Sequence, residues 1–435
     1  MADVLVGEAA QPVIARKRHV LAAVAGNALE FYDFITYSFF AIQIGHAFFP
    51  SKDPFASLML SLGAFGAGFL TRPLGGFILG AYADRVGRRA SMMLSYVMMG
   101  SAIAAMALIP PYSMIGLWAP ILALLARMIQ GFSLGGEVGS IMAFLTEAAP
   151  PRRRGLMVAW QPASQAVAAV TGSSIGLVLA ALMPPQFLDA WGWRIAFLLG
   201  ALTVPFGLLL RRTLPETLHA PEHAAAPAAR APGGNARVIV LGVMVLGGGT
   251  ISTYVLDYMT TFAQGTLHMA STVAFAATLL PNMVAFGAVL LGGWISDQVG
   301  RRPVMIWTQV AYVLVALPVF LVIVHQKTAL TLIGGSCLLA FLSTFAMGAF
   351  YPAFSESLPK AMRGRGVATT YAVAIAVFGG TTQPMITWLI HATGRPEAPG
   401  VYLAAALLMA LIGMTLILES APVRAAPLAA SAATA

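Results

Sequence analysis

Two acidic residues interrupt the first long apolar stretch of the chain. Glu30 and Asp33 lie in NALEFYDF, residues 27–34, and the surrounding residues 19–49 are mostly apolar or aromatic. A spacing of three places Asn27, Glu30 and Asp33 on one face of a helix. Two carboxylates this close in a medium of low polarity cannot both be charged without a large energetic cost, so this face could bind and release protons. The alternative is that one of them pairs with a neighbouring arginine and only holds helices together.

Two arginines are also placed deep within apolar segments. Arg72 precedes Asp84 by about three helical turns, or about 18 Å, which puts it near the middle of a membrane-spanning helix. Arg127 and Glu137 flank the centre of the predicted fourth helix. A charge at mid-bilayer costs several kcal/mol unless it is paired or hydrated, so each is a candidate functional group. A guanidinium can bind a substrate carboxylate through two hydrogen bonds, whereas permanent pairing with the buried acids is the structural alternative.

Further polar residues occur at helical spacing in three other apolar segments. They are Gln161, Ser164 and Gln165 in the fifth segment, Tyr254 and Asp257 in the seventh, and Thr381, Thr382 and Gln383 in the eleventh. The last group follows two glycines and precedes Pro384, which predicts an interruption of that helix. Such residues could bind a ligand, or they could form hydrogen bonds between helices. Asp257 is expected nearer the outer surface, where it would line a vestibule.

The composition of the 435-residue chain predicts an all-α integral membrane protein. Hydrophobic residues make up 59% and charged residues 9%, and the mean hydropathy is +0.82. Apolar runs long enough to cross a bilayer recur about twelve times. The predicted inner segments hold most of the arginines and lysines, which orients both termini toward the cytoplasm and makes a nucleic-acid partner unnecessary to explain the net charge of +9. The single cysteine, Cys337, and the scattered histidines indicate no metal and no cofactor.

The chain repeats two motifs in the same order. GAYADRVGRR at 80–89 matches GWISDQVGRR at 293–302, and EAAPPRRRG at 147–155 matches ESLPKAMRG at 356–364. This order predicts duplication of a six-helix unit. The predicted organisation is a leader at 1–18, a first bundle at 19–212, a flexible cytoplasmic linker at 213–236, a second bundle at 237–419 and a disordered tail at 420–435.

These motifs resemble those of a known family. Residues 80–89 and 293–302 look like the paired signature loops of the major facilitator superfamily. A resemblance to its metabolite:proton symporter family is found in NALEFYDF, RPLGGFILG and RMIQGFSLGGEVG. A narrower resemblance, to the citrate and tricarballylate branch of that family, is found in WQPASQAVA and TGRPEAPG. The resemblance implies two six-helix bundles, alternating access and a role for Arg127 in proton coupling. It implies gating by motif residues, which are Gly80, Asp84, Arg85, Gly87, Arg88, Arg89, Glu147, Asp297, Arg301, Arg302 and Glu356.

The function expected from these features is proton-coupled uptake of a small carboxylate, with citrate or a related tricarboxylate as the substrate. Proton-coupling candidates are Glu30, Asp33 and Glu137, and substrate-binding candidates are Asn27, Arg72, Arg127, Gln161, Gln165, Tyr254, Thr382 and Gln383. The alternatives are symport of another organic acid or zwitterion, drug export and a membrane sensor. No hydrolase or protease motif indicates an enzyme. The expected setting is the bacterial inner membrane, and a monomer is expected by analogy.

Overall fold

The computed structural model is built from α-helices joined by short connections. It describes residues 17–86, 88–136, 141–142, 145–146, 149–212, 235–421 and 423. Among these, the side chains of 17–23, 30, 33, 83–84, 88–89, 92, 136, 203–204, 206–212, 235 and 360–365 lie outside the description. The described backbone contains no β-strand, which confirms the predicted all-α fold class.

The helices that position the site follow one another along both halves of the chain. In the first half they are α1 (Lys17–Phe39), α2 (Ala41–Phe48), α3 (Pro54–Leu70), α4 (Arg72–Val86), α5 (Arg88–Leu108), α6 (Trp118–Ser133), α7 (Arg154–Leu182) and α8 (Trp193–Arg212). In the second half they are α9 (Asn235–Asp257), α10 (Ser271–Val299), α11 (Arg301–Gln326), α12 (Ala329–Ser357), α13 (Lys360–Ala374), α14 (Gly380–Thr393) and α15 (Ala398–Leu416). The helices coincide with the apolar runs of the sequence.

Within the described residues, eight helical stretches are long and apolar enough to cross a membrane. They are Pro54–Tyr82, Pro151–Leu182, Ala236–Thr266, Ser271–Val299, Arg301–Gln326, Ala329–Ser357, Gly366–Thr393 and Ala398–Leu416. Met93–Leu108 is a shorter apolar helix. Many large apolar side chains on these helices are exposed, including Phe77, Leu182 and Trp307. An apolar exterior is what a bilayer requires of a spanning bundle.

The two halves of the chain pack together through several helix pairs among the described residues. Helix α7 of the first half packs against α10, and α3 packs against α14. The second pair meets at Gly66 and Gly380, where a Cβ built on Gly66 would lie 2.5 Å from the Gly380 carbonyl oxygen. Only glycine allows backbones to approach this closely, so the pairing of α3 with α14 depends on these two residues.

The halves touch near both ends of the bundle. The motif end, where α4 and α10 end, holds a contact between the hydroxyls of Thr146 and Ser355 at 3.0 Å. At the opposite end, Gln43 donates a hydrogen bond to Gln264 at 3.2 Å, and the rings of Phe40 and Phe275 lie 5.1 Å apart. The described contacts therefore hold the halves together on both sides of the buried centre.

Candidate functional site

Arg72 and Arg127 meet at one aromatic ring in the interior of the bundle. Their guanidinium carbons lie 4.4 and 4.5 Å from the ring centroid of Phe34. Arg72 also lies 4.7 Å from the ring of Phe69, and Arg127 lies 4.5 Å from the ring of Tyr37. Arg72 is 3% exposed and Arg127 is fully buried. A cation over an aromatic face is stabilised by the ring quadrupole, and this stabilisation is larger where water is excluded.

The break between α3 and α4 positions Arg72. At this break the hydroxyl of Thr71 donates a hydrogen bond to the Met128 carbonyl at 2.7 Å, which fixes the start of α4 against α6. Arg127 lies on α6 and donates from Nη1 to Gln130 Oε1. Nε and Nη2 of Arg72 are buried and have no hydrogen-bond partner within the described residues. A buried guanidinium with free donors is expensive to leave unsatisfied, and a carboxylate ligand would satisfy it.

Aromatic side chains from both halves surround the two arginines. Phe34, Phe65 and Phe69 pack edge to face or tilted, with ring centroids 4.6 to 5.2 Å apart. Tyr254, from α9, contacts this group edge to face at 5.3 Å from Phe69 and 5.9 Å from Phe65. The prediction placed Tyr254 at the site, and the structure brings it to the arginines.

A group of buried amides lies where α1 packs against α7. Asn27 donates from Nδ2 to the Ser164 hydroxyl at 2.6 Å and to the Gln161 carbonyl at 3.3 Å. Asn27 and Gln161 are both fully buried. Asn27 Oδ1 and both side-chain polar atoms of Gln161 have no hydrogen-bond partner in the described part of the chain. Buried amides normally find partners, so these atoms are candidates for ligand contacts.

Tyr371 joins the site from the second half and was not predicted from the sequence. Gln165 on α7 donates from Nε2 to the Tyr371 hydroxyl at 3.4 Å. The Arg72 guanidinium interacts electrostatically with the hydroxyls of Tyr254 and Tyr371. A tyrosine among the small residues of α13 is the only sequence signal, and a single such residue does not indicate which way the helix faces.

Gln383 connects the two halves beside Tyr254. It is fully buried and donates from Nε2 to the Ser38 hydroxyl at 2.5 Å, and also to the Tyr254 carbonyl at 3.4 Å. The neighbouring Thr382 donates to the Phe378 carbonyl in its own helix. The described contacts therefore bring Gln383 to the interface between halves and leave Thr382 within the second half.

The interruption predicted at Pro384, in the eleventh apolar segment, is wrong in its position and its type. Residues 375–379 adopt a π-helix, and α14 then continues from Gly380 through Pro384 to Thr393. Membrane helices tolerate an internal proline, because neighbouring helices and local adjustments satisfy the freed backbone groups. The local distortion ends at Gly379, the first glycine of the pair, and does not lie at the proline.

The side chains of the three acids that were predicted to carry protons lie outside the described residues. Glu30 and Asp33 belong to α1. Glu137 follows the short helical turn Leu134–Gly136 and is itself outside the description. Their role remains a prediction.

At the motif end, Asp297 of the second half caps the first turn of α7 in the first half. Its carboxylate accepts hydrogen bonds from the backbone N–H of Gly155 at 2.8 Å and of Leu156 at 3.0 Å. Arg301 donates from Nη1 to the same carboxylate at 2.7 Å. An anion at a helix N-terminus is stabilised by the free N–H groups and by the helix dipole. The predicted motif residues Asp297 and Arg301 thus link the halves.

The rest of the second motif forms a buried network around Arg301. Arg301 is fully buried and pairs with Glu356 at 3.4 Å. Glu419 was not predicted, yet its carboxylate accepts hydrogen bonds from the backbone N–H of Arg301 at 2.9 Å and of Arg302 at 3.0 Å. The Ser420 hydroxyl donates to Glu356 at 2.7 Å. Residue 419 was predicted as the last residue of the second bundle, and the described contacts of that bundle extend past it to Ser420.

The first copy of the motif is described only in part. Gly80 lies within α4, and a Cβ built on it would meet no atom within 4 Å. Arg85 is exposed. The remaining predicted residues or their side chains, Asp84, Gly87, Arg88, Arg89 and Glu147, lie outside the described part, so their gating role stays a prediction.

A bundle of apolar helices, with charged and amide groups buried between two halves, is the architecture of a multi-pass membrane transporter. The Major Facilitator Superfamily model matches residues 23–380, and the chain belongs to this family. The chain is similar to a solved structure of the xylose transporter XylE from E. coli, with a TM-score of 0.75 and 17% identity over 93% of this chain and 98% of that one.

Curated relatives differ in what their names say they carry. The chain is 37% identical over 403 residues to a citrate-proton symporter of Klebsiella pneumoniae, covering 92% of this chain and 91% of that protein. It is 31% identical over 416 residues to a glycine betaine/proline/ectoine/pipecolic acid transporter of Dickeya dadantii, covering 92% and 82%. These relatives are transporters and not enzymes.

Proposed function

We propose that this transporter is a proton-coupled symporter that takes up a small carboxylate, with citrate or a related tricarboxylate as the substrate. The observation that carries the proposal is the pair of buried guanidinium groups on the Phe34 ring. Two buried positive charges at the centre of the bundle, with unpartnered donors on Arg72 among the described residues, form a site for a ligand with more than one carboxylate. The similarity to a citrate-proton symporter supports this choice of substrate.

The energetics of uptake call for cotransported protons. A membrane potential that is negative inside opposes an anion by about 2.3 kcal/mol per charge per 100 mV. Two uncompensated charges would therefore face about 4.6 kcal/mol, or a gradient of roughly 2,000-fold. Protons bound to Glu30, Asp33 or Glu137 would offset this charge. Arg72 and Arg127 would neutralise the remaining substrate carboxylates.

Alternating access would use the contacts at the two ends of the bundle. Separating Gln383 from Ser38 and Gln43 from Gln264 would open the opposite end, while the Asp297 cap on α7 keeps the motif end closed. Breaking the Asp297 cap would open the motif end. The arginine-rich motif segments favour the cytoplasm as the side reached through the motif end. We place the transporter in the bacterial inner membrane as a monomer.

One observation favours a zwitterionic substrate as the second candidate. The aromatic rings of Phe34, Tyr37, Phe65, Phe69 and Tyr254 form walls of the kind that bind quaternary ammonium groups. In the observed arrangement these faces already hold the two guanidinium groups, which repel a cationic ligand head. The carboxylate of a zwitterion could still bind the arginines, so a betaine is the competing ligand to test.

The test is transport by the purified protein in liposomes. Radiolabelled citrate, tricarballylate, a dicarboxylate and glycine betaine are offered with and without an inward proton gradient. We expect accumulation of a tricarboxylate that requires the gradient, together with acidification of the lumen. Accumulation of glycine betaine alone would replace citrate by a zwitterion as substrate. Accumulation unaffected by the gradient would refute proton coupling.

A further inference from the structure

We propose that Asp257 is a second proton-binding carboxylate, located in the second half of the chain and separate from the acids on α1. The proposal rests on the proposed proton symport and adds a proton site to it. Asp257 lies in the last turn of α9, one turn after Tyr254. It is absent from the substrate and gating groups described above.

Asp257 is buried without a compensating partner. Its side chain is 4% exposed and makes no hydrogen bond or ion pair within the described residues. One turn further on, Thr261 is 2% exposed, and its hydroxyl also has no hydrogen-bond partner in that part of the chain. An ionised carboxylate in such surroundings is strongly disfavoured relative to the neutral acid. In the closed arrangement Asp257 therefore carries a proton.

The polar groups that the structure describes on the turns packed around this end of α9 are uncharged. Helix α9 and the turn after it contribute Tyr254, Tyr258, Thr260 and Thr261, α10 contributes Thr278, α14 contributes Gln383 and Thr387, and α1 contributes Ser38 and Tyr37. Tyr254 interacts electrostatically with Asp257 and also with Arg72 and Arg127. This tyrosine therefore links the carboxyl group to the proposed substrate site, although neither arginine pairs with Asp257.

The position of Asp257 makes its access to water depend on how the halves are arranged. The turn Met259–Thr261 packs against α1 of the first half and against α10. Gln264, still further along, forms the contact with Gln43 at the opposite end. When the halves separate at that end, Asp257 gains water, and its carboxylate can exchange a proton with it. Closure then removes the water and retains the proton.

The surroundings favour a proton over a metal ion. The described residues contain no group of three or more histidine, cysteine or acidic side chains that could hold a metal. A single carboxylate with hydroxyl neighbours is sufficient for a proton, whereas a cation such as Ca²⁺ takes six or more oxygen ligands.

The experiment measures protons and substrate together. Full-length protein in liposomes is given radiolabelled citrate, and a lumenal pH dye reports proton entry. We expect Asp257→Asn to lower the number of protons per substrate by one. At a gradient of one pH unit, the maximal accumulation should fall about tenfold, because each coupled proton contributes one factor of ten. The number of protons per substrate does not depend on the amount of active protein. The matched control is Asp53→Asn, an exposed aspartate whose replacement can still cap α3.

The outcomes separate this inference from the function on which it rests. If the wild type moves substrate without protons, the proposed symport fails. If the wild type couples protons and Asp257→Asn keeps the same ratio, the symport stands and the role of Asp257 is refuted.

A second measurement covers the case in which Asp257→Asn does not fold. A hydrophobic carbodiimide reacts with protonated carboxyl groups, and peptide mass spectrometry locates the adducts on the wild type. We expect Asp257 to be modified, and we expect the extent of its modification to fall as the pH rises from about 5 to 9. Asp297 is the control, because this buried acid is ion-paired with Arg301 at 2.7 Å. Labelling of Asp257 no greater than that of Asp297 would overturn the proposal.

Discussion

Gln383 and Ser38 are 345 positions apart in the chain and are joined by a buried hydrogen bond. The bond links α14 to α1 beside Tyr254, whose carbonyl receives a second bond from Gln383. In the proposed alternating access, this bond would have to break before a ligand could enter from the opposite end.

Removing both partners of this bond should be less harmful than removing one. Gln383→Leu or Ser38→Ala alone leaves a buried polar atom unsatisfied, whereas the double variant removes both groups. We expect a favourable coupling of about 0.5–3 kcal/mol between the two substitutions. Thermal unfolding of the four purified proteins, in detergent, measures it. Additive effects would mean that the bond does not contribute to the closed arrangement.

Replacing either buried arginine by lysine should weaken citrate binding. Lysine keeps the charge of Arg72 or Arg127 but loses the planar donor pair that fits a carboxylate. We expect about 10–100-fold weaker binding by calorimetry, equivalent to about 1.4–2.8 kcal/mol. The control is Arg194→Lys, a buried arginine over the ring of Trp193 at 4.3 Å. A control that loses affinity equally would indicate a general effect on folding.

The hydroxyl of Tyr371 should matter for affinity more than for folding. Tyr371→Phe keeps the ring and removes only the acceptor for Gln165 and the neighbour of Arg72. We expect several-fold weaker citrate binding with little change in thermal stability, since one modest hydrogen bond is lost. The same phenylalanine substitution at Tyr402, on α15, is the control. Unchanged citrate affinity in Tyr371→Phe would remove this residue from the site.

Two glycines on α3 should respond differently to alanine. A Cβ at Gly66 would lie 2.5 Å from a backbone oxygen of Gly380, whereas a Cβ at Gly63 would meet nothing within 4 Å. We expect Gly66→Ala to hold α3 and α14 apart and to slow transport, and Gly63→Ala to have no such effect. Spin labels at Lys52 and Arg395, in a chain with Cys337→Ser, report the separation of the halves. Equal distance distributions in both variants would contradict the proposed close packing.

Glu419 should stabilise the motif end from outside the motif itself. Glu419→Ala removes the acceptor for the first two N–H groups of α11 and for the N–H of Ala421. The loss of such a cap should lower the free energy of unfolding by about 0.5–2 kcal/mol. Limited proteolysis should also cut the C-terminal segment sooner. Glu419→Gln, which retains an oxygen acceptor, should lose less stability than Glu419→Ala.

The sequence was sufficient to predict the all-α fold class and the burial of Arg72 and Arg127. Apolar runs and the depth of Arg72 and Arg127 follow from residue types and a fixed rise per residue. The shared Phe34 ring could not be predicted, because it depends on how α4 and α6 approach α1.

Residues that act through backbone atoms were also missed. Glu419 lies just after a helix end and binds N–H groups, and backbone donors leave no trace in a sequence pattern.

Tyr371 was missed because its partner, Gln165, comes from the other half of the chain. The distortion expected at Pro384 lies instead in the π-helix before Gly380, a segment that packs against α3, and this long-range packing has no local sequence pattern.

In the proposed site, the ring of Phe34 would also set a length scale for the ligand. The guanidinium carbons of Arg72 and Arg127 lie 4.4 and 4.5 Å from the centroid of this ring, so the gap between the two charges depends on this side chain. A molecule with acid groups on a short carbon backbone can bridge the pair as a chelate, whereas a monocarboxylate reaches only one of them. Widening or narrowing this gap, with Phe34→Trp or Phe34→Leu, would therefore change which chain length fits best.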